Sequence, residues 1–305
     1  MKLITNQQVA ELITADDSIQ AMREAFRTMD QGAQQARVRT SAAGVMLSTM
    51  GAIVPGAQVA GTKIYTTING KFQFVIVLFS TETGQPLATI EADTMTAFRT
   101  AAATAVATDA LASTDAETLS VIGTGVQARS HIEALLKIRG FKQILVSGRT
   151  IPNDFAKEIA AQTGVTTKAV VMQDAVTAAD VLVTVTRAQT PLFAGELLPK
   201  GAFVAAVGAS KATVRELDDA AIARAAAVVV EWKQQAQQEA GDLVMCAPGT
   251  FDWDKVWELG QALNGSMSYA AKPDDIVIYK SIGVGLEDIA MAGMVYRKAS
   301  QKYGW

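Results

Sequence analysis

The chain has 305 residues, half of them hydrophobic, and a formal net charge of −3. That length suits one large domain or two modest ones with sizeable cores, and the charge offers no basic surface of the kind nucleic acid needs. One cysteine, Cys246, excludes an intramolecular disulfide and fits a reducing compartment, and one histidine, His131, leaves no zinc-type ligand set, so no metal is expected.

The start, Met1-Lys-Leu-Ile-Thr-Asn-Gln-Gln, lacks the basic flank and apolar core of a signal peptide. No run of about 18 apolar residues occurs. A cytoplasmic protein with no membrane span is expected. Asn6 is read as the N-cap of a short first segment. A clearer helix starts at Asp16-Asp17-Ser18, with Ile19, Met22, Ala25, Phe26 and Met29 at helical spacing and a stop near Gly32. Residues 38–79 read as antiparallel β-structure. Strands are expected at 45–50, 59–67 and 72–79, with Asn69-Gly70 as a hairpin turn and a further strand at 87–90. The alanine-rich run 96–112 predicts a helix. Arg99 near its start is unfavourable against the helix dipole unless an anion sits close by; a solvated arginine is the plainer alternative.

From Thr118 the pattern alternates strand and helix. Strands are expected at 119–122, 143–146, 168–171, 181–185, 202–207 and 227–230, with helices at 152–163, 173–179 and 217–226. Short apolar strands separated by helices imply a parallel sheet covered on both faces. The first strand enters a glycine turn, Gly123-x-Gly125-x-x-Ala128, and a helical pattern follows. This is a dinucleotide-binding arrangement: Gly123 for the tight turn, Gly125 for close approach to a pyrophosphate, Ala128 for helix–strand packing, and the helix N-terminus for the phosphates. An ordinary strand–helix turn is the competing reading. About 20 residues on, an acidic residue would bind the ribose of NAD. The chain instead has Ser147-Gly148-Arg149-Thr150. Ser147 and Thr150 can donate to a 2′-phosphate and Arg149 can pair with it, which favours NADPH, with NADH as the alternative. Further along, Trp253, Val256 and Trp257 suggest a short packed helix, 276–280 a strand, and 286–299 a final helix. His131 is assigned a surface or supporting role and Cys246 a buried, unreactive one.

Arg39, Lys63 and Arg99 lack a structural excuse. Three cations meeting in a cleft would bind a carboxylate, although each alone is more often a surface charge. Two stretches, Thr96-Ala-Phe-Arg-Thr-Ala-Ala-Ala-Thr-Ala and Ile122-Gly-Thr-Gly-Val-Gln-Ala-Arg129, resemble the ornithine cyclodeaminase/mu-crystallin family. So do Gly61-Thr-Lys63, Val183-Thr-Val-Thr186, Arg215-Glu-Leu-Asp-Asp219, Glu239-Ala-Gly-Asp242 and Lys280-Ser-Ile-Gly283. The resemblance implies an α/β fold: a Rossmann dinucleotide-binding domain, 114–285, and an α+β substrate and dimerisation domain, 1–113 joined by 286–305. It implies a homodimer. It gives the substrate carboxylate to residues matching Arg39, Lys63 and Arg99, with Arg37 as the rival to Arg39. Cofactor contacts are expected from Gly123, Thr124, Gly125, Val126 and Gln127, from Ser147, Arg149 and Thr150, and from Thr184, Thr186 and Val207.

One departure matters. The cyclodeaminases of the family carry a catalytic Asp in a Gly-Ala-Asp-x-Pro-Gly segment. This chain has Gly208-Ala-Ser210-Lys, with no Pro-Gly. A serine cannot take up a proton as a carboxylate does near neutral pH. The resemblance therefore points to the ketimine-reductase branch, which reduces cyclic imino acids with NAD(P)H. The expected substrate is Δ1-pyrroline-2-carboxylate, with Δ1-piperideine-2-carboxylate as the second, and Lys63 and Ser210 as the catalytic pair. The alternatives are an amino-acid dehydrogenase such as alanine dehydrogenase, an ornithine cyclodeaminase, and a mu-crystallin-like protein that binds NADP without turnover.

Overall fold

Thr5, rather than Asn6, opens the first helix. Its hydroxyl accepts from Gln8 N while the Gln8 side chain accepts from Thr5 N, a capping box that satisfies two otherwise orphan donors. The computed structural model describes residues 1–270 and 272–305. The chain divides into two units, Met1–Ala103 with Gly283–Trp305, and Thr104–Ile282.

In unit 1, a short strand β1 (Lys2–Ile4) precedes α1 (Asn6–Leu12) and α2 (Ala15–Arg27). Thr14 caps α2 through Asp17, and a 3-10 turn, Met29–Gln31, takes the chain on to Gly32, so the helix stops earlier than its apolar spacing suggests. There follow β2 (Ala33–Gln34), β3 (Val38–Ala42), β4 (Val45–Val54), β5 (Val59–Ile68), β6 (Lys71–Ser80), β7 (Pro86–Glu91) and α3 (Asp93–Leu111). The sheet runs β1-β7-β6-β5-β4-β2, with β3 also paired to β4. The expected hairpin at Asn69-Gly70 is present; φ is positive at both residues, 49° and 72°, as a tight β-hairpin demands. Alternation along the strands sorts the faces. Lys63 lies opposite Met50 and Ile76, and shares its buried face with Ser48, Tyr65 and Leu78. The other face carries Leu47, Ile53, Val75 and Phe79, all exposed.

Unit 2 takes α3 from Thr104 onward, then β8 (Thr118–Ile122), α4 (Val126–Ile138), β9 (Gln143–Ser147), α5 (Asn153–Thr163), β10 (Thr166–Ala169), α6 (Met172–Thr177), β11 (Val181–Thr184) and β12 (Phe203–Ala206). It continues with α7 (Asp219–Arg224), β13 (Ala225–Val230), α8 (Lys233–Glu239), α9 (Gly241–Val244), β14 (Val256–Glu258), α10 (Leu259–Leu263) and β15 (Ile276–Lys280). All eight strands are parallel, in the order β10-β9-β8-β11-β12-β15-β13-β14. Counting from β8 and taking β15 as the sixth strand, the first six places read 3-2-1-4-5-6. That is the Rossmann order, with its switch point between β8 and β11. The central strands β8, β11, β12 and β15 are buried from end to end because helices cover both faces, which explains their near-continuous apolar sequence.

Three expectations change. The segment with Trp253, Val256 and Trp257 is a 3-10 turn, Trp253–Lys255, followed by β14, because Val256 pairs with Val228 at the sheet edge. Helix α7 is shorter than 217–226: Asp218 caps it and Ala225 already belongs to β13. His131 is fully buried, not at the surface. Its Nδ1 faces the Gln127 carbonyl at 2.7 Å, so the proton sits there and Nε2 accepts from Thr104 Oγ1 at 3.0 Å.

The last helix, α11 (Gly285–Tyr303), belongs to unit 1 and packs on β4, β5 and α2. Ile289, Met291 and Val295 are completely buried, each contributing about 1.5–3 kcal/mol of apolar burial. Among the described residues no helix is long and apolar enough to cross a membrane.

Candidate functional site

Among the described residues, the buried face of unit 1 gathers Arg37, Arg39, Lys63 and Arg99 with the carboxylates of Glu287 and Asp288. Lys63 comes from the middle of β5, where an ammonium interrupts an apolar strand. Its Nζ donates to Asp288 Oδ1 at 2.9 Å and to Thr96 Oγ1 at 2.7 Å, and lies 4.4 Å from the Phe74 ring centroid. Arg99, in the first turns of α3, donates Nε to Asp288 Oδ1 at 3.2 Å and Nη1 to Glu287 Oε2 at 2.5 Å. The anion that Arg99 needs is thus supplied by α11. Glu287 and Asp288 occupy the first turn of α11, where the helix dipole favours negative charge. Both carboxylates are fully buried.

Arg37 and Arg39 complete the group. Arg37 donates Nη2 to Gly283 O at 2.7 Å and Nε to Met50 Sδ at 3.2 Å. Arg39, on β3 opposite Ser48, bonds to Tyr65. Gly283 adopts φ +70°, and a Cβ there would stand 2.8 Å from Arg99 Nη1, so glycine lets the guanidinium lie against the backbone. Four cations against two carboxylates leave the cluster positive.

The electrostatics follow from burial. Desolvation pushes the Lys63 ammonium down to about 8; Asp288 opposes this while Arg99 adds to it. Burial also works against the Asp288 carboxylate, but Arg99 and Lys63 outweigh it and hold Asp288 below its ordinary range. Burial lowers the Arg39 guanidinium as well, and Arg37 reinforces the effect. Lys63 is therefore a group that can hold or release a proton near neutral pH, beside fixed positive charge. Among the described residues no cluster of His, Cys, Asp or Glu could hold a metal ion. The Cys246 thiol is pushed up to about 11 by burial and donates to Asp242 O, so it is a poor nucleophile.

Unit 2 carries the glycine turn at the switch point. Gly123 has φ +129°, and a Cβ would stand 2.8 Å from Val185 O, so only glycine allows both the turn and the approach of β11. Gly125 is the N-cap of α4, and a Cβ there would meet nothing within 4 Å. No side chain caps α4. Thr124, Gly125 and Val126 are exposed and Gln127 is half-buried. Exposed first-turn N–H groups with open space beside Gly125 suit a pyrophosphate, so the residues present fit a dinucleotide. Arg129 braces the turn: it donates to Thr124 O at 3.0 Å and pairs with Glu158 at 2.7 Å. Ser147 is buried at the end of β9, while Arg149 and Thr150 are exposed in the loop beyond it. Thr184 is buried, Thr186 and Val207 are half-buried, and Ser210 is half-buried in the irregular stretch after β12.

The sequence profile of the ornithine cyclodeaminase/mu-crystallin family matches residues 1–303. The chain belongs to this family. Among the family's proteins, the Δ1-pyrroline-2-carboxylate reductase of Bacillus cereus is 36% identical over 269 residues, covering 83% of this chain and 81% of that protein. A probable ornithine cyclodeaminase from Bordetella pertussis Tohama I has a solved structure with TM-score 0.97 and 45% identity, covering 100% of this chain and 99% of the other. The structure of Thermococcus litoralis Δ1-pyrroline-2-carboxylate reductase, in complex with NADH and L-proline, gives TM-score 0.93 at 26% identity, covering 100% and 98%.

No local sequence pattern marks Glu287, Asp288, Thr96 or Tyr65 as members of this cluster. A pair of acids in the first turn of a helix reads as dipole compensation. The available hint was their place in an otherwise apolar junction, Ser281-Ile-Gly-Val-Gly-Leu-Glu-Asp288.

Proposed function

We propose that this chain reduces a cyclic ketimine, Δ1-pyrroline-2-carboxylate, to proline with NADPH, and takes Δ1-piperideine-2-carboxylate to pipecolate as a second reaction. The observation that carries this reading is the positive cluster of unit 1 built around a lysine held near pKa 8. Arg39 and Arg99 fix the substrate carboxylate; Lys63 orients it and holds a proton for the imine nitrogen. A protonated imine makes the adjacent carbon electrophilic. Bound NAD(P)H supplies the hydride that this carbon accepts. Ser210 donates a hydrogen bond toward the imine nitrogen and, having no carboxylate, leaves ornithine deamination without its base. The residues contribute orientation and electrostatics; the hydride chemistry belongs to the cofactor.

NADPH is preferred to NADH because the 147–150 loop offers Arg149 and Thr150 and no carboxylate to the ribose. Loss of NADPH absorbance on mixing with pyrroline-2-carboxylate tests the reaction, and initial rates with NADH alongside test the preference. NADPH binding without turnover would favour a binding protein. Faster turnover with pyruvate and ammonia would favour an amino-acid dehydrogenase, and ammonia release from ornithine a cyclodeaminase.

The exposed apolar face of unit 1, with Leu47, Ile53, Val75 and Phe79, is assigned to a second copy of the chain, since a patch of this kind on a sheet invites face-to-face packing. Light scattering is expected to give twice the 32.2 kDa of one chain. A monomer at micromolar concentration would refute the dimer.

A further inference from the structure

Four motif stretches that lie far apart in the sequence meet inside unit 2. They contribute Thr184 and Thr186, Glu216, Asp242 and Lys280. Glu216 is fully buried and accepts four hydrogen bonds. Its Oε1 takes Thr186 N at 2.8 Å and Thr186 Oγ1 at 2.7 Å; its Oε2 takes Thr184 Oγ1 at 2.8 Å and Gly208 N at 2.7 Å. Asp242 Oδ1 accepts from Glu216 N and Leu217 N, both at 2.7 Å. Asp242 Oδ2 pairs with Lys280 Nζ at 2.8 Å, and both side chains are completely buried. Lys280 Nζ also donates to Ala206 O at 3.1 Å and Ala209 O at 2.5 Å.

Burying two carboxylates and an ammonium is a poor way to gain stability, because desolvation consumes most of the attraction. Fixing one conformation is what such a network does well. Here it holds backbone at the end of a strand ladder and in the irregular connection beyond one. One segment is the end of β11, Thr184 to Thr186. The other is the connection 208–216 after β12, pinned at its start by Lys280 and Glu216 and at its end by Asp242. These are the carboxyl ends of the fourth and fifth strands of the Rossmann order, beside the switch point. In that topology the first three strands serve the adenosine half of a dinucleotide and the second three serve the nicotinamide half.

The threonines' hydroxyl protons are committed to Glu216, and Thr186 Oγ1 also accepts from Ala188 N at 3.0 Å. They serve as struts more than as donors to a ligand. We propose that Glu216, seated between the Asp242–Lys280 pair and the two threonines, is a positioning residue that presets the nicotinamide half of the dinucleotide crevice. This rests on the dinucleotide-binding part of the proposed function and needs no assumption about the imine.

Glu216→Gln tests it in the full-length protein. The variant matches the wild-type shape but turns an amide N–H₂ toward the Thr184 hydroxyl and the Gly208 N–H. Affinities for NADPH and for 2′,5′-ADP, the adenosine half alone, are measured by calorimetry, with NADH and ADP run in parallel. NADPH is expected to bind about tenfold or more weakly, with 2′,5′-ADP unchanged. Equal loss for both ligands, or no loss in a folded variant, overturns the proposal. Thr186→Val, which removes one donor and buries no charge, repeats the selective loss on a smaller scale should Glu216→Gln not fold; unchanged NADPH affinity there overturns it too. If the wild-type protein binds neither dinucleotide nor fragment, the dinucleotide reading itself is refuted.

Discussion

Replacing Lys63 with methionine is expected to lower kcat/KM for imine reduction by about 10³-fold while NADPH affinity stays within a factor of two. Methionine keeps the length and apolar stem that fill the space beside Met50, Ile76 and Phe74. It removes the proton carrier and one of the cluster's positive charges. Asp288 keeps Arg99 as a partner at 3.2 Å, so the change does not strand a bare carboxylate in the interior. The same variant has a second readout, independent of turnover. Lys63 titrates near 8 in the folded chain against 10.5 for an ordinary lysine. Below 8 both states are protonated and the full desolvation penalty is present. Between 8 and 10.5 the unfolded chain binds a proton that the folded chain does not, so stability rises with pH, by up to about 1.4 kcal/mol per pH unit. Urea unfolding of wild type and variant across this window should show the wild type gaining on Lys63→Met. A constant difference would mean that Lys63 is not depressed. Full activity in the variant would remove Lys63 from the chemistry.

What the sequence disclosed depends on distance along the chain. The glycine turn was legible because strand, turn and helix are contiguous, and Gly123 and Gly125 each have a local reason. The oddity of Arg99 was also legible, since a cation at a helix start violates a local rule. Its resolution was not. Asp288 lies 225 residues from Lys63 and 189 from Arg99, and no local pattern couples positions so far apart. The same holds for Glu216, whose partners at 184, 186 and 208 come from two other strand ends. Family motifs mark the stretches that hold Lys63, Arg99, Thr184, Thr186 and Glu216, but not Asp288, and none reveals which of them touch. Buried polar groups look like surface residues in a one-dimensional pattern; only the tertiary fold shows which are paired. Helix ends fail for a related reason. Thr5 and Asn6 are both residue types that cap helices, and the Gln8 reciprocal bond that decides between them is visible only in three dimensions.

The second large effect concerns the ion pair of unit 2. Lys280→Met is expected to destabilise the fold by about 3–5 kcal/mol, because it leaves the Asp242 carboxylate buried with only two N–H donors and takes the Lys280 donor from the Ala209 carbonyl, while Ala206 O keeps Ser281 N. A control isolates burial as the cause. Lys200 and Asp274 pair at the same 2.8 Å, but their side chains are 76% and 73% exposed, against 0% for both Lys280 and Asp242. Lys200→Met should leave the thermal midpoint where it was, since water solvates Asp274 once its partner is gone. The double variant Lys280→Met/Asp242→Asn should recover part of the loss, because a neutral amide costs less to bury than an unpaired carboxylate. Recovery would be incomplete: the amide oxygen can still accept from Glu216 N and Leu217 N, but a neutral acceptor binds them more weakly than a carboxylate and the Ala209 carbonyl has still lost the Lys280 donor. Denaturant unfolding of these three variants and of Asp242→Asn alone decides the matter. A Lys280→Met protein as stable as wild type would show that Asp242 has another route to compensation, and additive losses in the double variant would show that the two residues do not act as a pair.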